Sequence, residues 1–254
     1  MIRGLYTSAL GMTAQMKRMD IISNNIANTD TTGFKRDIGV TRSFSEELMK
    51  RIDGGATAAS PRALSGVSLG VFVDDVATDF SQGAARVTGG TLDMSISGDG
   101  FFAVRAADGA ERYTRDGSFT LAADGALVTE DGAFVLGDGG LIRLNGTGDI
   151  TVGSDGSIYQ GGAAVGRLRL ASFANPESLR KIGGNLYRAT DESVPVAFTG
   201  SVAPGTLELS NVSAVREMVD MIAVSRLYDA NQKILTMIDS TMELAASRIA
   251  SRVS

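Results

Sequence analysis

The sequence predicts an α+β fold, in which N- and C-terminal helices pair as a coiled coil and a central, mostly antiparallel β domain lies between them. Three observations predict it. Both ends carry apolar residues at alternating spacings of four and three, the middle of the chain switches to a period of two, and glycine is concentrated in that middle. Of 31 glycines, 27 lie between Gly54 and Gly205 and none follows Gly205.

The first helix reads over residues 3–28, with Leu5, Ala9, Met12, Met16, Met19, Ser23 and Ile26 forming one narrow seam of the kind a coiled-coil partner requires. Asn24, Asn25, Asn28 and the run from Thr29 to Gly33 end it, because short polar side chains compete for backbone hydrogen bonds and glycine removes the remaining helical bias. The N-terminal coiled-coil segment is therefore 1–33. Residues 34–67 read as an extended arm and loop, within which Phe44, Leu48, Met49 and Ile52 could share one face of a short helix over 43–52.

The central β domain reads over 68–209. Val71, Val73 and Val76, then Leu92, Met94 and Ile96, alternate with other residues. Seven Asp-Gly pairs, beginning at Asp99, Asp108, Asp116, Asp124, Asp131, Asp138 and Asp155, punctuate the region. Both residue types tolerate positive φ, so the pairs predict tight turns between antiparallel strands. Pro176 and Glu177 open a short helical turn through Lys181. The C-terminal coiled-coil segment is 210–254, a helix over 211–251 for which Ser210, Asn211 and Ser213 are all possible N-caps. Its seam is Ala214, Met218, Met221, Ser225, Tyr228, Gln232, Leu235, Asp239, Met242, Ala246 and Ile249.

Composition narrows the function. Net charge is −5, yet residues 1–36 carry +3 and residues 212–254 are balanced, which leaves −8 for the middle. Such a surface repels nucleic acid and anionic lipid. No run approaches 18 apolar residues, so no membrane insertion is expected. With neither cysteine nor histidine, disulfides, thiolate nucleophiles and zinc-thiolate sites are excluded, and the usual general base is missing. The absence of an apolar secretory stretch would by itself place the chain in the cytosol.

The Asp-Gly pairs lack the ligand spacing of a calcium loop. The carboxylates Asp74-Asp75, Glu111 and Glu130-Asp131 could support glycoside hydrolysis, but they sit among turn signals and no tryptophan is present to stack on a sugar. Phosphate-loop and nucleophile-elbow motifs are absent. No enzyme activity, cofactor or metal is expected. A cell-wall-directed enzyme on a structural scaffold, or a monomeric junction module, is the competing reading.

The segment Ser23-Asn24-Asn25-Ile26-Ala27-Asn28, followed by Thr31-Thr32-Gly33-Phe34-Lys35, resembles the N-terminal signature of the bacterial flagellar rod and hook family. Leu92-Asp93, Gly98-Asp99-Gly100-Phe101-Phe102 and Tyr113-Thr114-Arg115-Asp116-Gly117-Ser118-Phe119 are similar to its central motifs. Leu207-Glu208, Ser210-Asn211-Val212 and Glu217-Met218-Val219 through Arg226, Tyr228 and Asn231 resemble its C-terminal signature. The resemblance implies a structural subunit of the flagellar shaft, whose terminal helices form the inner tube of a helical polymer with the β domain outward. It implies arms after Gly33 that lock neighbours, partnership with other rod and hook subunits, and export through the flagellum's own apparatus without a cleavable signal. Localisation at the basal body then replaces the cytosol. The start Met1-Ile2-Arg3-Gly4-Leu5 and the loop around 45–67 look more like a distal than a proximal rod subunit.

The assembly residues this reading selects are Leu5, Met12, Met16, Met19, Asn24, Asn25, Ile26, Asn28, Gly33, Phe34, Met218, Met221, Tyr228, Leu235, Met242 and Ile249. Methionine suits such a surface because its unbranched side chain adapts to different neighbours. Ordering two long helices costs more conformational entropy than one buried seam returns, so both ends should be disordered in the free monomer and order on assembly. Limited proteolysis of dilute monomer checks this: both ends should be trimmed rapidly, and resistant termini would refute the expectation.

Overall fold

A helix α1 spans Ile2–Ala27 and a helix α2 spans Ala214–Val253. The computed structural model describes residues 2–43, 70–145 and 148–253. The helix expected over 43–52 and the loop beyond it lie outside the described residues. α1 ends where the polar run begins: Thr31 donates to Asn28 twice, from its backbone to the Asn28 carbonyl (3.3 Å) and from its hydroxyl to Oδ1 (3.2 Å). The Ser210 hydroxyl accepts the Val212 N–H at 3.2 Å shortly before α2 starts.

The chain divides into two compact units. The first comprises Met1–Ile26, Asp37–Ala77 and Ala214–Ser254. Within it, α1 and α2 touch in antiparallel sense. A Cβ added at Gly4 would stand 3.1 Å from Ile238 Cδ1, one at Gly11 would stand 3.1 Å from Asn231 Nδ2, and Asn25 Nδ2 donates to Glu217 Oε2 at 3.3 Å. Each step along α1 is matched by an equal step back along α2. On α1 this line lies one residue to the N-terminal side of the expected seam. Glycine explains the displacement, since lack of a side chain allows the closest approach of the partner there.

The other flank of α1 meets a two-stranded ribbon, Asp37–Ser43 with Val71–Thr78. A Cβ at Gly39 would stand 3.0 Å from Ile21 Cδ1, and one at Gly70 would stand 2.8 Å from Leu10 Cδ1. Part of the stretch expected as arm and loop is therefore a paired strand.

The second unit comprises Ala27–Arg36 and Thr78–Ser213. Its main sheet has ten strands. The central path runs Arg180–Gly183, Leu186–Arg188, Glu111–Thr114, Phe101–Arg105, Phe134–Gly137, Leu127–Thr129 and Phe119–Leu121, and the pairs along it are antiparallel. Alternation splits Phe101–Arg105 between two cores. Phe102 and Val104 join Met94, Ile96, Leu127, Ile158 and Leu168 in one, while Phe101 joins Phe173, Leu179 and Tyr187 in the other. The helical turn expected over 176–181 is a single 310 turn, Pro176–Ser178, because the chain re-enters the sheet at Arg180.

The Asp-Gly pairs serve two purposes. Gly109, Gly125, Gly132 and Gly156 take positive φ, and the Asp108, Asp124 and Asp155 carboxylates accept backbone N–H groups two residues on, at 2.9, 3.2 and 3.1 Å. Gly117 is different: its φ is not positive, but a Cβ there would collide with the Met94 carbonyl oxygen. That pair provides a close backbone crossing, not a hairpin turn. Replacing Gly117 with Ala should cost about 2 kcal/mol or more, whereas Gly139→Ala, with open space around it, should stay within about 0.5 kcal/mol. Urea unfolding of the two variants measures the difference.

Candidate assembly surface and buried junction

The segment 27–36 leaves α1 and threads into the β unit because Gly33 permits a left-handed turn (φ +64°). A Cβ at Gly33 would stand 2.5 Å from the Arg115 carbonyl carbon and the Asp116 nitrogen, so only glycine fits. The Gly33 N–H donates to the Glu208 carbonyl at 2.8 Å. Asn185 Nδ2 donates to the Thr32 carbonyl (2.6 Å), and the Thr32 hydroxyl donates to Asp116 Oδ1 (2.7 Å). Phe34 is buried beneath Lys181, whose Nζ stands 3.7 Å from the ring centroid and donates to the Lys35 carbonyl at 2.9 Å.

Beneath this strap, one carboxylate serves two cations. Lys35 Nζ lies 2.6 Å from Glu208 Oε1 and also donates to the Ser81 carbonyl at 2.8 Å. Arg115 Nη1 faces Glu208 Oε2 at 3.5 Å, with its guanidinium 5.1 Å from the Phe101 ring centroid. The Gly83 N–H adds a further bond to Glu208 Oε1 at 2.8 Å. Lys35 is 0% exposed and Glu208 2%. Burial pulls the Lys35 ammonium and the Arg115 guanidinium below their usual pKa values, and Glu208 opposes the shift in both.

Asn211, one of the possible helix caps, works here instead. Its Oδ1 accepts the Arg36 N–H (2.7 Å), its Nδ2 donates to the Asp79 carbonyl (2.8 Å), and its own N–H donates to the Phe34 carbonyl (3.3 Å). Asp79 is held below the usual carboxylate range, chiefly by the hydrogen bond it accepts from the Ser81 backbone. Lys35, Arg115 and Glu208 each make at least one ion pair here, while Arg115 Nε is buried without a hydrogen-bond partner among the described residues.

The other selected residues sit mostly on the helices. Leu5, Met12, Met19 and Ile26 are half-buried, Met16 is 54% exposed, and Asn24 is exposed. Asn25 is buried: its Oδ1 accepts the Asp37 N–H at 3.0 Å and its Nδ2 donates to the Asp37 carbonyl at 2.9 Å, so its amide behaves like one more strand residue. Asn28 closes the turn after α1. On α2, Met221, Tyr228, Leu235 and Met242 are half-buried and Met218 is 52% exposed. The side chain of Ile249 lies outside the described residues. Exposed apolar residues Leu227, Ile234, Met237 and Leu244 add a second stripe on α2.

Sequence reasoning missed Lys35, Glu208, Arg115, Asn211 and Glu217 as working residues. Lys35 and Glu208 stand 173 positions apart, and no spacing rule connects them. Apart from Asn211, read as a possible helix cap, their only signal was membership of the three quoted signatures. Glu208→Gln should cost about 3–5 kcal/mol, because two buried cations lose their counter-charge. Lys35→Met should cost less, since Arg115 still neutralises Glu208. Equilibrium denaturation by urea ranks the two.

Among the described residues no helix is long and apolar enough to cross a membrane, and no group of three or more acidic residues is placed to hold a metal ion. Comparison with known proteins gives three family matches along the chain. Residues 5–35 match flagella basal body rod protein, residues 95–160 match the flagellar hook protein FlgE/F/G D1 domain, and residues 203–248 match the flagellar basal body rod FlgEFG protein C-terminal region. The flagellar basal-body rod protein FlgF of Caulobacter vibrioides is 42% identical over 248 residues, covering 94% of this chain and 95% of the relative. The FlgG rod protein of Agrobacterium fabrum is 35% identical, covering 98% and 100% respectively. That of Bacillus subtilis is 36% identical, covering 96% and 97%.

Proposed function

Because the chain belongs to the flagellar basal-body rod protein family, we propose that its terminal helices pair as a coiled coil and build it into a helical tubular polymer that transmits torque to the hook. The chain is a structural subunit of the bacterial flagellar basal body, in a family of structural proteins that assemble with other rod and hook subunits. The segments 1–33 and 210–254 polymerise, 34–67 contributes an arm, and 68–209 forms the body of the subunit. The chain is of the FlgF type, supported by 42% identity to an FlgF against 35% and 36% to two FlgG proteins. It leaves the cell through the flagellar export apparatus, with its helical ends unfolded until neighbours cover them.

The observation that carries the polymer reading is the apolar surface left on α2. Leu227, Ile234, Met237 and Leu244 are 50, 42, 59 and 59% exposed and recur at spacings of seven and three. A helix with apolar residues at heptad spacing on a face open to water has a face prepared for another helix. Met16 on α1 and Met218 on α2 are also exposed.

Ile234→Glu and Met237→Glu together should leave the β unit folded and its melting unchanged, because both side chains already face solvent. The same pair should abolish sedimentable polymer, seen by electron microscopy of concentrated protein, and should prevent recovery in purified basal bodies. Polymer forming normally would refute the assignment of this face.

A further inference from the structure

The contacts between α1 and α2 follow a line that apolar patterning does not mark. Gly4, Gly11, Arg18 and Asn25 recur every seven residues along α1, and Glu217, Val224, Asn231 and Ile238 recur every seven along α2. Gly4 meets Ile238, Gly11 meets Asn231 and Asn25 meets Glu217, so one antiparallel alignment satisfies all three at once. The line is small and polar on α1 and alternates polar with apolar on α2, and its Asn25 is 1% exposed, Glu217 3% and Val224 2%. One residue to the side on α1 runs the apolar stripe, on which Met16 remains half-exposed.

An apolar seam of repeating, pliable methionines holds register weakly, because a slip of seven residues restores similar contacts. Polar groups forbid the slip. Moved seven residues one way, Asn25 faces Val224 and its amide loses its carboxylate. Moved the other way, Asn25 passes the start of α2 at Ala214. Either slip also separates Gly11 from Asn231. Asn25 further ties both backbone groups of Asp37, so the same residue sets where the strand Asp37–Ser43 begins.

We infer that this line is a register lock, in which Asn25, Glu217 and Asn231, with Gly4 and Gly11 as close-approach points, hold the helix pair in one alignment. The lock spends small and polar residues on the pairing within the chain and keeps Met16 and Met218 off the contact line. That these methionines then serve a second copy rests on the polymer reading above; the lock itself does not.

The chain contains no cysteine, so introduced pairs report the register directly. Arg18→Cys with Val224→Cys is in register, while Gly11→Cys with Val224→Cys is offset by seven residues, about 10 Å along the axis. Copper-catalysed oxidation of the full chain is followed on non-reducing gels, where an intramolecular disulfide migrates faster than the open monomer and an intermolecular one runs as a dimer. The in-register pair should close intramolecularly about tenfold faster than the offset pair, and adding Asn25→Leu and Asn231→Leu should shrink the preference to about twofold. Asn231→Leu alone serves as the milder variant, with circular dichroism confirming that the helices persist. Equal rates with both asparagines in place overturn the inference, as does a preference that survives their removal. A tenfold preference in a chain that forms no polymer supports the lock and refutes the polymer reading.

Discussion

One carboxylate holds the β unit's two chain exits together. Glu208 answers Lys35 from the segment after α1 and Arg115 from the middle of the sheet, while its own carbonyl receives the Gly33 N–H. Two cations on one acid would be costly if any member were left unmatched in a site this dry. Lys35 donates to the Ser81 carbonyl, the Gly83 N–H donates to Glu208, and Lys181 donates to the Lys35 carbonyl, so the ion pair and the strap's backbone are tied together. The positions of Phe34, Gly33 and Asn211 follow from that requirement, since each places backbone or ring where the ion cluster needs cover.

The helical unit is organised on a different principle. Its internal contacts set glycines and amide side chains against Ile21, Leu10 and Ile238 as well as one another, and several apolar residues of α2 face outward. A monomer built for independent stability would bury Leu227, Ile234, Met237 and Leu244 instead. In the proposed polymer a subunit does not need to, because neighbouring copies would supply the missing cover. The β unit, by contrast, completes two apolar cores and the ion cluster within one chain.

Much of this was legible beforehand. The two helices, the switch to a period of two, and the Asp-Gly turns at Asp108, Asp124 and Asp155 follow from local spacing and local backbone preference. The role of Gly117 was not legible, because a close crossing with Met94 depends on a strand far away in sequence. Nor was the strand Asp37–Ser43, whose partner Val71–Thr78 lies beyond a long intervening segment. Asn25 belongs to a contiguous signature, but its work as a strand-like partner of Asp37 depends on the folded chain.

The sequence by itself determined the element types, the antiparallel character of the middle and the family, because these depend on periods of two and three to four residues and on contiguous signatures. Tertiary structure alone decided which stripe of each helix faces the other and which charges are buried together. The physical reason is range. Periodicity reports that a face is apolar, but only the packed chain shows that glycines at 4 and 11 bring α2 one residue to the side of it. Likewise, a lysine and a glutamate at opposite ends of the β unit become one interaction only when the fold removes water from between them.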